Sequence, residues 1–305
     1  MAPTSADMMQ PEKNLSLLLK SPPGFGKTIA ACSLAIDGPV YLAYFDKRQP
    51  VELLNFYKRF RPQLLKNIRY EVFSSRNAHD YLNTLMGFAS KGCPYVAVIT
   101  DSATNLTSAA INWSMGFKHA NGSREKNPRA DPLRDANTPQ MVPDFDDYKA
   151  ETSLVTQALD ILTSLPVHNI WTAHPVPSLK VEDSGGGVTV TKVTNIVTYG
   201  QKVGAMIPGR FNEIYHFAKR NGFQPDGKYR GQHIVLTDMV GDDFAKTSFN
   251  LPKEIDITDQ LFWEVMKPLY LKAVEEVSIK EETREEKEPT PEVKSNDTAK
   301  YPWMK

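Results

Sequence analysis

The chain has 305 residues, 41% of them hydrophobic, and 36 basic against 36 acidic side chains, so it can bury one large core and its net charge selects no class of partner. Two cysteines, Cys32 and Cys93, without clustered histidines exclude a structural zinc site and favour buried thiols over a disulfide. No apolar run approaches the roughly 18–20 residues that cross a bilayer, and the opening MAPTSADMMQPEKN has no signal-like pattern, so a soluble, cytoplasmic protein with no membrane partner is expected.

Residues 1–13 read as a flexible N-terminus. LSLLLK, residues 15–20, reads as a buried strand. SPPGFGK follows, then TIAACSLAI, residues 28–36, as a helix closed by Gly38 and Pro39. VYLAYF, residues 40–45, is a second strand ending at Asp46. Strand, glycine-bearing turn, helix and strand make a βαβ unit. The alternation continues with a helix at VELLNFYKRF, a strand at IRYEVF, a helix at AHDYLNTLMGFAS and a strand at YVAVIT, which ends at Asp101. Such a pattern predicts a mostly parallel sheet covered on both faces.

Residues 107–147, rich in Asn, Asp, Pro and Arg, read as a long exposed loop. A helix is expected over 148–164 and a strand at VHNIWTAH, residues 167–174. EDSGGG and the Val/Thr alternation after it suggest a hairpin-like excursion. FNEIYHFAKR and HIVLTDMV read as later strands joined by a turn bearing GKYRG. A C-terminal helical segment over 256–277, interrupted at Pro268, leads into a disordered acidic tail, 278–305. From Glu275 to the end there are nine acidic and six basic side chains, a net of −3 that leaves +3 on the rest of this neutral chain. The tail reads as a solubilising extension, or as an arm that competes for basic loops or docks a partner through Tyr301, Pro302 and Trp303.

The chemistry concentrates in SPPGFGKT. Gly26, Lys27 and Thr28 match the end of the phosphate-loop pattern G-x-x-x-x-G-K-[ST], with Ser21 in place of its first glycine. Ser21, Pro22, Pro23, Gly24, Phe25, Gly26, Lys27 and Thr28 would form the loop, its backbone N–H groups facing an anion. Lys27 would reach the β- and γ-phosphates and Thr28 would offer its hydroxyl to Mg²⁺. A neighbouring strand should end in an aspartate that holds the metal through water, and Asp101 supplies it. The bland alternatives are a chance GKT in a strand–turn–helix, and an aspartate that caps a helix.

PPGFGKT is similar to the loop of AAA+ ATPases, but Ser102 after Asp101 looks like the RecA-type core, where AAA+ proteins usually carry glutamate. Together with IWTAHPVPS and GQKVGAMIPGRFNEIYHFAKR, these pieces resemble the short RecA-like ATPases of bacteriophages, which are associated with single-strand annealing and recombination. The resemblance covers roughly residues 14–255. It implies a RecA-like P-loop fold, a DNA-stimulated ATPase using ATP and Mg²⁺, and a location in the cytoplasm of an infected bacterial host. It also implies a homo-oligomer with ATP at subunit interfaces, working on single-stranded DNA. Asp46 stands near the place of the catalytic carboxylate, and Thr172 and His174 fit the strand end that senses the γ-phosphate. The two DNA loops of such proteins correspond to the region of Trp113, Phe117, Lys118, His119, Arg124, Lys126, Arg129 and Arg134, and to that of Lys180 and Lys192. Lys219 and Arg220 would reach the phosphates of a neighbouring subunit, or are surface charges. Two rival functions stay open: a nucleotide-dependent switch that recruits replication or recombination proteins with little turnover, and a nucleotide kinase whose lid is the 107–147 segment.

Overall fold

A computed structural model describes residues 14–46, 49–120, 143, 145–183, 188–223, 229–238 and 245–285. Strand β1 (Ser16–Lys20) runs into the glycine-bearing loop and helix α1 (Lys27–Cys32), which tightens into a 3₁₀ turn at Ser33–Ile36. Then come β2 (Val40–Tyr44), α2 (Val51–Phe60), a 3₁₀ turn at Pro62–Asn67, β3 (Ile68–Val72), α3 (Ala78–Lys91) and β4 (Ala97–Asp101). Helices α4 (Ala103–Ala120) and α5 (Phe145–Ser164) precede β5 (His168–Ala173), and a hairpin of β6 (Pro175–Asp183) and β7 (Val188–Ile196) follows. Helix α6 (Gln201–Gly209), strands β8 (Glu213–Phe223), β9 (Tyr229–Leu236) and β10 (Glu254–Asp256), and helix α7 (Phe262–Glu285) complete the order.

The main sheet has eight strands in the order β10-β9-β8-β1-β5-β4-β2-β3, and β6 with β7 forms a separate two-stranded sheet. From β8 to β3 every pairing is parallel; β8–β9 and β9–β10 are antiparallel. The α/β class expected from the alternation is therefore the one observed. Strand β1 shows why both faces are covered. Leu17 and Leu19 enter a core shared with α1, α2 and α7, while Leu18 enters a second core shared with α3, α4 and α5.

Three expectations need correction. The stretch from 107 is not a loop at either end: α4 runs through to Ala120 and α5 begins at Phe145. Leu106, Ala109, Ala110, Ser114 and Met115 are buried along one face of α4, and buried Ser114 donates a 2.8 Å hydrogen bond to buried Asp147 of α5. Packing of that apolar stripe overrides the polar composition between its members. Residues 121–142 lie outside the described residues.

The second correction is at α7, which continues through Pro268 and on to Glu285. Glu264 accepts from the Leu261 N–H at 2.8 Å, the reciprocal half of a capping box. Burial of Phe262, Trp263, Met266 and Tyr270 on both sides of Pro268 outweighs the one backbone bond that proline removes. The Lys- and Glu-rich stretch 278–285, expected to be disordered, is composed of good helix formers and extends the helix. Residues 286–305 lie outside the described residues. The third correction is smaller: Tyr229, Arg230 and Gly231 of GKYRG belong to β9, and GQKVGAMIPG, left without an element, contains α6.

Candidate active site

Parallel strands deliver their carboxyl ends to one edge of the sheet, and Lys27, Thr28, Asp46, Asp101 and His174, singled out in the sequence, lie there. Strand β5 lies between β1 and β4, pairing Lys20 with Ala173 and Thr100 with Trp171. Asp101 therefore closes β4 beside Thr172, and His174 leaves β5 beside Ser21. The loop between β1 and α1 turns at Gly24 and Gly26, whose φ angles are 80° and 85°. A side chain is strained in that left-handed region, and the space a Cβ would occupy at either glycine is open to 4 Å. Pro22, Pro23 and Gly24 are exposed, whereas Ser21 and Lys27 are buried.

Asp101 is held at both oxygens. Thr28 Oγ1 donates to Oδ2 at 2.7 Å, and Thr172 Oγ1 donates to Oδ1. Burial pushes the Asp101 carboxyl above the usual range, while both hydroxyls, Lys27 and His174 pull the other way. Lys27 folds back on its own loop, donating to Ser21 O at 2.7 Å, Pro22 O at 3.0 Å and Ser21 Oγ at 3.1 Å. Burial brings its ammonium down to about 8, against the opposing pull of Asp101.

His174 Nδ1 stands 3.4 Å from Lys27 Nζ and 3.3 Å from Ser21 O, able to accept from the first or donate to the second according to tautomer. Burial, then Lys27, hold the ring below the usual histidine range. Its backbone N–H donates to Thr104 Oγ1 at 3.2 Å. Thr104 was missed in the sequence, although a hydroxyl three residues after Asp101 at the start of α4 is well placed to fix the adjacent strand end. Asp46 lies just past β2 on the same edge, exposed, and accepts from Tyr44 Oη at 3.4 Å. Burial, followed by Asp46 and then Asp101, pushes the Tyr44 hydroxyl up to about 12.

Lys219 and Arg220 point to opposite faces of β8. Lys219 Nζ donates to Gly24 O of its own chain at 2.8 Å and lies 5.0 Å from the Phe25 ring centroid. It therefore bears on the loop of its own chain. Arg220 makes a two-pronged pair with Glu254, at 2.8 and 2.5 Å. Of the aromatic candidates, Trp113 is half-buried against the core and stacks on His79, ring centroids 5.3 Å apart. Phe117, Lys118 and His119 are on α4 and Lys180 and Lys192 on the hairpin, but their side chains lie outside what is described. Arg124, Lys126, Arg129 and Arg134 fall wholly outside the described residues.

No protein-family model matches the chain, and no curated protein matches it in sequence. Among solved structures it is similar to a KaiC-like protein of the hyperthermophilic archaeon Pyrococcus horikoshii OT3, with 11% identity over 79% of this chain and 88% of that one and a TM-score of 0.39.

Proposed function

We propose that the chain is a RecA-like P-loop ATPase, binding ATP with Mg²⁺ on Ser21–Thr28 and Asp101 and hydrolysing it in an oligomer on single-stranded DNA. The observation that carries the reading is the 2.7 Å contact of Thr28 with Asp101, beside a buried lysine in the same loop. The residues fit the ligands: an open cradle at two left-handed glycines suits a phosphate, and a hydroxyl paired with a carboxylate suits a hard cation. Mg²⁺, when bound, would neutralise charge on the β- and γ-oxygens.

The chain's own residues then have distinct tasks. Lys27 exchanges its three loop oxygens for phosphate oxygens. Thr172 fixes Oδ1 of Asp101, and Oδ2, which accepts from Thr28, would hold the metal together with that hydroxyl. Asp46 orients the attacking water and takes its proton. His174, beside Lys27, is followed at once by β6, so a displacement at the phosphate end passes into the hairpin, the candidate DNA element with Lys180 and Lys192. The exposed tip of the loop leaves ATP accessible to a second protomer, and the C-terminal tail is the candidate dock for a replication or recombination protein.

Steady-state ATP hydrolysis, with and without single-stranded DNA, tests the reading. Turnover stimulated by DNA and absent in Lys27→Ala is expected. Tight ATP binding without turnover in either condition would favour the switch, a reading consistent with the exposure of Asp46. Transfer of phosphate to a nucleoside monophosphate would point to the kinase.

A further inference from the structure

Ser21 stands where the phosphate-loop pattern has glycine, and the backbone there does not call for one. Among the described residues only glycines have a positive φ, so the conformation at position 21 admits any side chain. The Ser21 N–H donates to Ala173 O at 3.3 Å, which ties this position to the end of β5 without its side chain. The side chain is nevertheless fully buried, against the lysine of the loop.

What it adds there is an oxygen. An ammonium has three protons to place, and Lys27 is only 5% exposed. Its three oxygen acceptors are Ser21 O at 2.7 Å, Pro22 O at 3.0 Å and Ser21 Oγ at 3.1 Å. The one hydroxyl proton of Ser21 goes to Pro22 O at 3.1 Å, which leaves the lone pairs of Oγ to the ammonium. Glycine would supply the carbonyl alone, leaving the third proton of this buried cation to His174 Nδ1, 3.4 Å away. Ser21 thus completes a set of loop oxygens around the charge with no phosphate present.

We infer that Ser21 is a latch on Lys27: its hydroxyl stabilises the nucleotide-free position of the ammonium and is given up when phosphate oxygens take its place. Ser21 is a positioning residue, acting through Lys27. It lowers nucleotide affinity, because a contact made only in the free protein must be broken for the ligand to bind. The inference rests on the assignment of the loop as a nucleotide site, and concerns how tightly that site binds.

Calorimetric titration with ATP and Mg²⁺, together with thermal unfolding of the nucleotide-free chain, tests it on the wild type, Ser21→Ala and Ser21→Gly. Ser21→Ala should bind ATP about fivefold more tightly, the net worth of one hydrogen bond. Nucleotide-free, it should unfold about 2 °C below the wild type, since the same bond is lost there. A merely structural role would lower stability without raising affinity. On a Lys27→Ala background, Ser21→Ala should leave the residual affinity unchanged. Ser21→Gly, which restores the standard pattern, should also bind more tightly, and it decides if Ser21→Ala does not fold. Equal or weaker binding by a folded variant would overturn the latch and leave the nucleotide site standing. Absence of ATP binding by the wild type would overturn both.

Discussion

Strands β1 and β5 carry polar residues at or beside both of their ends, and the two edges of the sheet treat them differently. At the carboxyl edge Lys27, Thr28, Asp101, Thr172 and His174 contact one another, and burial shifts three of their titrations. At the amino edge Ser16 Oγ and the Asn169 carboxamide are buried without a hydrogen-bond partner among the described residues. The first edge carries opposite charges that compensate each other. The second carries neutral groups whose desolvation nothing described offsets. An unpaired buried charge costs far more than an unpaired amide.

The largest effect that should break this contrast is Lys27→Ala, which removes the only loop cation. ATP affinity should fall on the order of 100-fold, the loss of charge-assisted bonds to phosphate, while thermal unfolding stays close to wild type. Next, Asp101→Asn keeps acceptor and donor capacity for Thr28 and Thr172 but deletes the charge. Affinity for ATP in the presence of Mg²⁺ should fall about tenfold or more and lose most of its dependence on the metal, again without lost stability, since the variant removes a buried carboxylate.

How much of this was legible in the sequence follows from how local each piece is. The loop is eight consecutive residues, and Asp101 ends an unbroken apolar strand, so both could be read directly. The bearing of Lys219 on Gly24 could not, because it depends on β8 pairing with β1 across nearly two hundred residues. The pairing of Asn169 with Ser16 was equally hidden, because it depends on the register of β5 on β1. Helix α4 was obscured because Asn, Ser and Thr separate Leu106, Ala110 and Trp113, and only packing against α3 and α5 shows that these share a face.

The pH dependence sharpens the contrast further. Lys27 is charged in the folded protein below about 8, so ATP affinity should decline as pH rises through that value. Asp101, with its carboxyl raised, should lose its charge at a higher pH than an ordinary aspartate, so metal-dependent binding should also decline on the acid side. A titration of affinity against pH should therefore be bell-shaped, and Asp101→Asn should remove the acid limb.

Away from both edges, Glu151 supplies an intermediate case. Its Oε2 accepts the Gly200 N–H at 2.9 Å, while buried Oε1 has no hydrogen-bond partner among the described residues. Burial raises its carboxyl to about 7, against the pull of the Gly200 and Tyr199 N–H groups. The folded state then holds a proton between the ordinary value of 4.5 and about 7 that the unfolded chain has released, so stability falls as pH rises across that window. Glu151→Gln should be more stable than wild type at pH 8 by about 3 kcal/mol and equal to it at pH 4, as judged by chemical denaturation. The smallest effect belongs to Lys219→Ala. Its exposed contact with Gly24 is worth under about 1 kcal/mol, so ATP affinity should change by about fivefold at most.

The most direct measurement is calorimetric titration of the purified chain with ATP, in Mg²⁺ and in EDTA, for the wild type and Lys27→Ala. Saturable binding at one site per chain, strengthened by Mg²⁺ and lost in the variant, is the result predicted. Absence of binding by the wild type, or binding that Lys27→Ala leaves unchanged, would contradict the assignment of the carboxyl edge as a nucleotide site.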